Sequence, residues 1–111
     1  LLVHANHWIS AVAQSKLVDT GLRDSPDSLY RQSRVWQILE AKKLIDREDV
    51  MQALNDKFGS PFSVCRDPSS DEDDEVFSTV ATIMIDSTDE VMEICKAPYE
   101  NTKFATYSLT R

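Results

Sequence analysis

The sequence predicts an α+β fold with the element order β-α-α-β-β-β, and three observations predict it. An apolar run opens the chain, two capped amphipathic segments follow, and beyond an acidic tract the pattern changes to β-branched, period-two segments. The opening run, "LLVHANHWIS", reads as a strand over residues 2–9, extending into "SAVAQ". Alternation along a strand sends His4 and Asn6 to one face and Val3, Ala5 and His7 to the other. "KLVDTGLRD" has no clean period, and Gly21 marks a turn there.

The strongest helix signal is "SPDSLYRQSRVWQILEAKKL", residues 25–44. Ser25 is placed to cap it, Pro26 suits the first helical position and Asp27 the positive end of the dipole. Leu29, Trp36, Leu39 and Lys43 fall close to one face, which Tyr30, Val35, Ile38 and Ile45 widen. A second helix, "DREDVMQALNDKF", is capped by Asp46, with Asp49 in its acidic first turn. Val50, Met51, Leu54 and Phe58 make its apolar stripe. Gly59 is the expected C-terminal cap residue, and Pro61 blocks continuation. After the acidic tract, "VFSTVATIMIDS" reads as a strand buried on both faces. "EVMEICKAPY" and "KFATYSLT" alternate as strands, and the turns "STDE" and "PYENT" join the three into an antiparallel meander. Such a meander needs layers on both faces, and two helices supply one. The 111 residues are therefore expected to be a single unit that forms part of something larger.

Composition narrows the function classes. The chain is 41% hydrophobic and 28% charged, an ordinary globular balance. Its two glycines offer no phosphate-binding loop. No apolar run approaches the roughly 18 residues of a membrane span, and residues 1–10 lack the basic flank of a signal peptide. Of the net charge of −7, six carboxylates lie in "DPSSDEDDE", the acidic loop at residues 67–75. The rest of the chain carries 13 acidic against 12 basic side chains. That balance makes no electrostatic case for nucleic acid. The acidic loop lacks the glycine and ligand spacing of a calcium site. Cys65 and Cys95 fit neither a disulfide framework nor a zinc motif, and read as reduced core thiols in a cytoplasmic protein. Cys65 has no elbow or oxyanion motif around it, which argues against a cysteine–histidine protease set with His4 or His7. Arg31 and Arg34, one turn apart, either clamp a carboxylate or bridge to Asp27 or Glu40.

Four runs, "VHANH", "PDSLYRQSR", "PFSVCR" and "TVATIMID", in that order and at fitting intervals, resemble the peptidase C45 family. These are the acyl-coenzyme A:6-aminopenicillanic acid acyltransferases and their relatives. The resemblance spans nearly the whole chain and corresponds to the C-terminal third of a family member. It implies an αββα sandwich, that of the N-terminal nucleophile hydrolases, which cleave their own precursor before a cysteine. That cysteine attacks an acyl amide or thioester through a cysteinyl acyl-enzyme, with its own α-amine as general base.

By the same resemblance Asn6 donates its side-chain amide to the oxyanion. His4 and His7 stand behind the site as supporting groups, and Trp8 is either a wall of the acyl pocket or a core residue. No cofactor or metal is called for, since the two histidines lack a third ligand. The expected partners are a small-molecule acyl substrate and the remaining N-terminal part of the protein, which carries the nucleophile; a homodimer is left open. The acidic loop stands where penicillin-acylating members carry a glycine-, lysine- and arginine-containing loop, which weakens the case for the same substrate. Beside its active site it would repel coenzyme A phosphates and favour amide hydrolysis. The competing expectation is a small, non-enzymatic α+β interaction domain whose acidic loop meets a basic partner.

Overall fold

The computed structural model describes residues 1–70 and 76–110, so most of the acidic loop, residues 71–75, lies outside the described residues. The described chain is α+β: α1 Ala11–Gln14, α2 Gly21–Asp24, α3 Asp27–Glu40, α4 Arg47–Leu54, then β1 Ser69–Ser70, β2 Val76–Phe77, β3 Ala81–Asp86, β4 Val91–Lys96 and β5 Ala105–Ser108. It divides into two compact units, Leu1–Val64 and Cys65–Arg111.

In the first unit the expected strand over residues 2–9 does not form. Among the described residues no strand pairs with it, and its main chain is tied to side chains instead. Ser28 Oγ accepts from the Asn6 N–H at 2.8 Å, Gln32 Nε2 donates to the Val3 carbonyl at 3.0 Å, and Asp19 Oδ2 accepts from the Trp8 N–H at 2.9 Å. The two-residue alternation survives without the ladder. Val3 and Ala5 are half-buried and His7 buried, whereas His4, Asn6 and Trp8 are exposed. "SAVAQ" is likewise not extended. Its alanines form the single turn of α1, closed by Gln14 N–H to Ser10 O at 2.9 Å. Gly21 opens the short helix α2 in place of the expected turn, and Asp19 Oδ1 accepts the Leu22 N–H at 3.0 Å.

Helix α3 is shorter than residues 25–44 and begins after Pro26, which occupies the capping position assigned to Ser25. Its buried line agrees with expectation at Leu39 and departs from it elsewhere: Ser28 is buried, while Leu29 and Trp36 are 48% and 39% exposed. Ser28, Gln32, Val35 and Leu39 form the inward face, because that face receives residues 1–7 and packs near α4.

Helix α4 is capped as expected, and more completely. Asp46 accepts the Asp49 N–H at 2.9 Å and Asp49 accepts the Asp46 N–H at 3.3 Å, a reciprocal capping box with aspartate in both roles. The helix ends at Leu54 before reaching Phe58, and Ala53, outside the expected stripe, is its buried residue. Gly59 lies beyond the helix in a turn at φ +83°, where a Cβ would stand 2.8 Å from the Tyr30 hydroxyl oxygen. Only glycine lets that turn meet the Tyr30 ring, whose hydroxyl donates to the Phe58 carbonyl at 2.7 Å.

The Lys42 ammonium, 2.7 Å from Asp49 Oδ1, holds the Asp49 carboxyl below its ordinary range, aided by the Asp46 backbone N–H. A carboxylate depressed on folding contributes stability above its unfolded pKa, and the contribution is lost as pH falls through the folded value. Asp49→Asn should therefore reduce the acid-side fall in Tm, measured from neutral pH down through the carboxylate range. An unchanged fall would contradict the pairing.

The second unit carries the expected meander. β3, β4 and β5 form an antiparallel sheet in that order, with Ile83 opposite Ile94, Ile85 opposite Met92, and Met92 opposite Tyr107. The turn at residues 87–90 is closed by Asp86 Oδ1, which accepts the N–H groups of Thr88 and Asp89 at 2.8 and 3.0 Å. Two expectations for the first strand fail. Val76 and Phe77 are not continuous with β3 but form β2, which pairs antiparallel with β1. β3 is also not buried on both faces: Thr82 is 7% exposed, but Ile83 and Ile85 are 53% and 64% exposed. One face of β3 is covered, that of Thr82, and it is shared with the buried Cys95 directly opposite. Ile83, Ile85 and Tyr107 thus leave an apolar face open.

Candidate functional site

Helical spacing on α3 builds the site. Asp27, Ser28, Arg31, Gln32 and Val35 fall within two turns of one side of the helix, and the opening residues lie across them. Ser28 holds the segment's main chain through the Asn6 N–H, and its Oγ also shares a hydrogen bond of 2.8 Å with Nδ1 of the buried His7. Arg31 holds the side chain: one guanidinium nitrogen, Nη2, donates to Asn6 Oδ1 at 3.0 Å, and Nε donates to Asp27 Oδ2 at 2.8 Å. Among the described residues the Asn6 amide nitrogen donates to no protein group, so it is the end of the side chain left for a ligand.

Asn6 lines an open recess of about 420 Å³ whose other walls include His4, Arg31, Gln32, Val35 and Leu54. Its lining mixes aliphatic residues, Val3, Val35 and Leu54, with polar ones, as recesses that hold small molecules do. The cation in the wall is already paired, since Asp27 neutralises Arg31 across one helical turn. A second recess, of about 430 Å³, lies beside Pro26, Tyr30, Gly59 and Phe62. Asp24 and Asp27 are also among its lining residues, Asp27 is bound to Arg31, and the Tyr30 hydroxyl is spent on Phe58. The first recess, where the Asn6 amide nitrogen has no acceptor among the described residues, is the candidate.

The residues singled out from sequence separate as follows. His4 and Asn6 share the recess, and the His4 ring stacks on His7 with centroids 6.4 Å apart. His4 Nδ1 bonds the Ala5 carbonyl, and His7 faces Ser28. Trp8 is 48% exposed and is not part of the recess wall. Cys65 and Cys95 are wholly buried thiols of the second unit. Arg31 bridges to Asp27, one of the two acids expected for this pair. Arg34 turns instead to Asp56, with contacts of 2.8 and 2.9 Å, and stacks over Phe58. Ser28 and Gln32 were not foreseen. Their i, i+3, i+4 relation to Arg31 in "SLYRQ" was the available signal, but a helix face becomes a site only once its covering segment is known.

Among the described residues no three His, Cys, Asp or Glu side chains are grouped to hold a metal ion, and no helix is long and apolar enough to cross a membrane. No curated protein and no solved structure matches the chain. Residues 1–100 match the family model described as acyl-coenzyme A:6-aminopenicillanic acid acyl-transferase.

Proposed function

The chain belongs to the acyl-coenzyme A:6-aminopenicillanic acid acyltransferase family, and on that premise we propose that it supplies the oxyanion-binding part of a cysteine acyltransferase or amidohydrolase. The nucleophile is a cysteine outside these 111 residues, freed by self-cleavage so that its α-amine can serve as base. The thiol gives its proton to that amine and attacks the acyl carbonyl of an amide or thioester. The carbonyl oxygen becomes an oxyanion, held by the Asn6 amide N–H. Collapse expels the amine or thiol, which takes the proton back, and leaves a cysteinyl thioester. Water or an acceptor amine then resolves it.

The observation that carries this reading is the state of Asn6: its oxygen is tied to Arg31 and its nitrogen is uncommitted at a recess of substrate size. A neutral amide stabilises the developing charge without exchanging a proton. His7 supports it from behind, through Ser28, and His4 stands beside it in the wall of the recess. The wholly buried thiols of Cys65 and Cys95 suit a structural role and a reducing, cytoplasmic setting. The open apolar face of the β3–β5 sheet favours an αββα sandwich completed by the rest of the protein over an independent interaction domain.

The test is the intact mass of the full-length product before and after exposure to an acyl thioester. Two chains are expected, one beginning with cysteine and gaining the acyl mass. An uncleaved chain with full acyl-transfer activity would overturn the proposal.

A further inference from the structure

Resting on that assignment of Asn6, we infer that Arg31 is the positioning residue that decides which end of the Asn6 carboxamide faces the substrate. A primary amide has a donor end and an acceptor end of nearly the same shape, and a half-turn of the terminal torsion exchanges them. Left alone at an exposed position, the side chain would present the wrong end part of the time. A guanidinium carries only N–H donors, so it can face only the amide oxygen. The 3.0 Å contact from Arg31 Nη2 to Asn6 Oδ1 therefore turns the amide nitrogen outward.

Arg31 is itself held. Its Nε donates to Asp27 Oδ2 at 2.8 Å, on a carboxylate whose side chain is only 9% exposed and which stands one turn earlier on the same helix. Ser28, between them in the sequence, fixes the main chain of Asn6 at 2.8 Å. Helix α3 thus grips Asn6 at both ends, by its backbone N–H and its carbonyl oxygen, and leaves one group free. The cation also draws electron density through the amide, which strengthens its N–H as a donor.

The test compares four variants of the intact, processed enzyme: Asn6→Ala, Arg31→Ala, Arg31→Lys, and Asn6→Ala with Arg31→Ala. Each is assayed on an acyl p-nitroanilide that the wild type turns over, with thermal unfolding followed alongside. Arg31→Ala should lower kcat about 10- to 100-fold with KM within about twofold, since only an interaction made in the transition state is disturbed. Lysine keeps the charge but lacks the fork, so Arg31→Lys should fall between wild type and alanine. It also carries the test should the alanine variant not fold. The double variant should lose no more than Asn6→Ala alone. Losses that add, or full rescue by lysine, would overturn the positioning role. A large loss in Asn6→Ala with wild-type kcat in both Arg31 variants would overturn it too, while sparing the oxyanion assignment. An unchanged Asn6→Ala would remove that assignment and this inference together.

Discussion

Asn6→Ala in the intact, processed enzyme is expected to lower kcat about 100- to 1000-fold, the usual cost of losing one preorganised oxyanion donor. Folding should hardly change. The side chain is exposed, and its one hydrogen bond among the described residues is the contact from Arg31. Ser28 still receives the backbone N–H, because alanine retains that group. Arg31 keeps Asp27 as its partner, so no buried charge is stranded. The measurement is a steady-state kinetic comparison with matched unfolding curves. Unchanged kcat would reject the role of the carboxamide. A large drop in Tm would instead make Asn6 a structural residue.

The second large effect is the absence of activity. The 111-residue chain by itself should release no acyl product above the uncatalysed rate. It holds Cys65 and Cys95, but both thiols are wholly buried, and both lie within the chain and so lack a free α-amine. Measured acyl release from a thioester, abolished by Cys65→Ser or Cys95→Ser, would show that the nucleophile had been assigned to the wrong part of the protein.

Much of the fold was legible because local chemistry states it. Asp46 before a helical pattern, with Asp49 three residues on, can satisfy the first N–H groups of α4, and it does so in both directions. The meander was readable from β-branched alternation punctuated by "STDE", where Asp86 closes the turn. The opening strand was misread for the opposite reason. A strand is a relation between two segments, and residues 2–9 carry a strand's alternation while finding side chains of α3 as partners. Burial was misjudged wherever it depended on what lies above a face. Leu39 is buried as its place on the apolar face implies, but Leu29 and Trp36, as apolar as a core demands, are left exposed while Ser28 is covered.

The site shows the same division. Asn6 was found through its resemblance to a family motif, and its placement on a recess depends on an alternation that the residues alone display. Its supports were not legible. Arg31 and Asp27 at i, i+4 read as an ordinary surface pair, and only the crossing of residues 1–7 over α3 makes that pair part of the site. Nothing in the sequence alone marks Ser28, whose hydroxyl is buried between His7 and the Asn6 backbone.

The most direct measurement is single-turnover acylation of the processed enzyme by an acyl thioester, quenched and read by mass, for wild type and Asn6→Asp. Aspartate matches the shape of asparagine and still accepts from Arg31, but as a carboxylate it has no N–H to give. If the amide proton is what steadies the reacting carbonyl, Asn6→Asp acylates its cysteine at least as slowly as Asn6→Ala. Acylation of Asn6→Asp at the wild-type rate would contradict the account at its root.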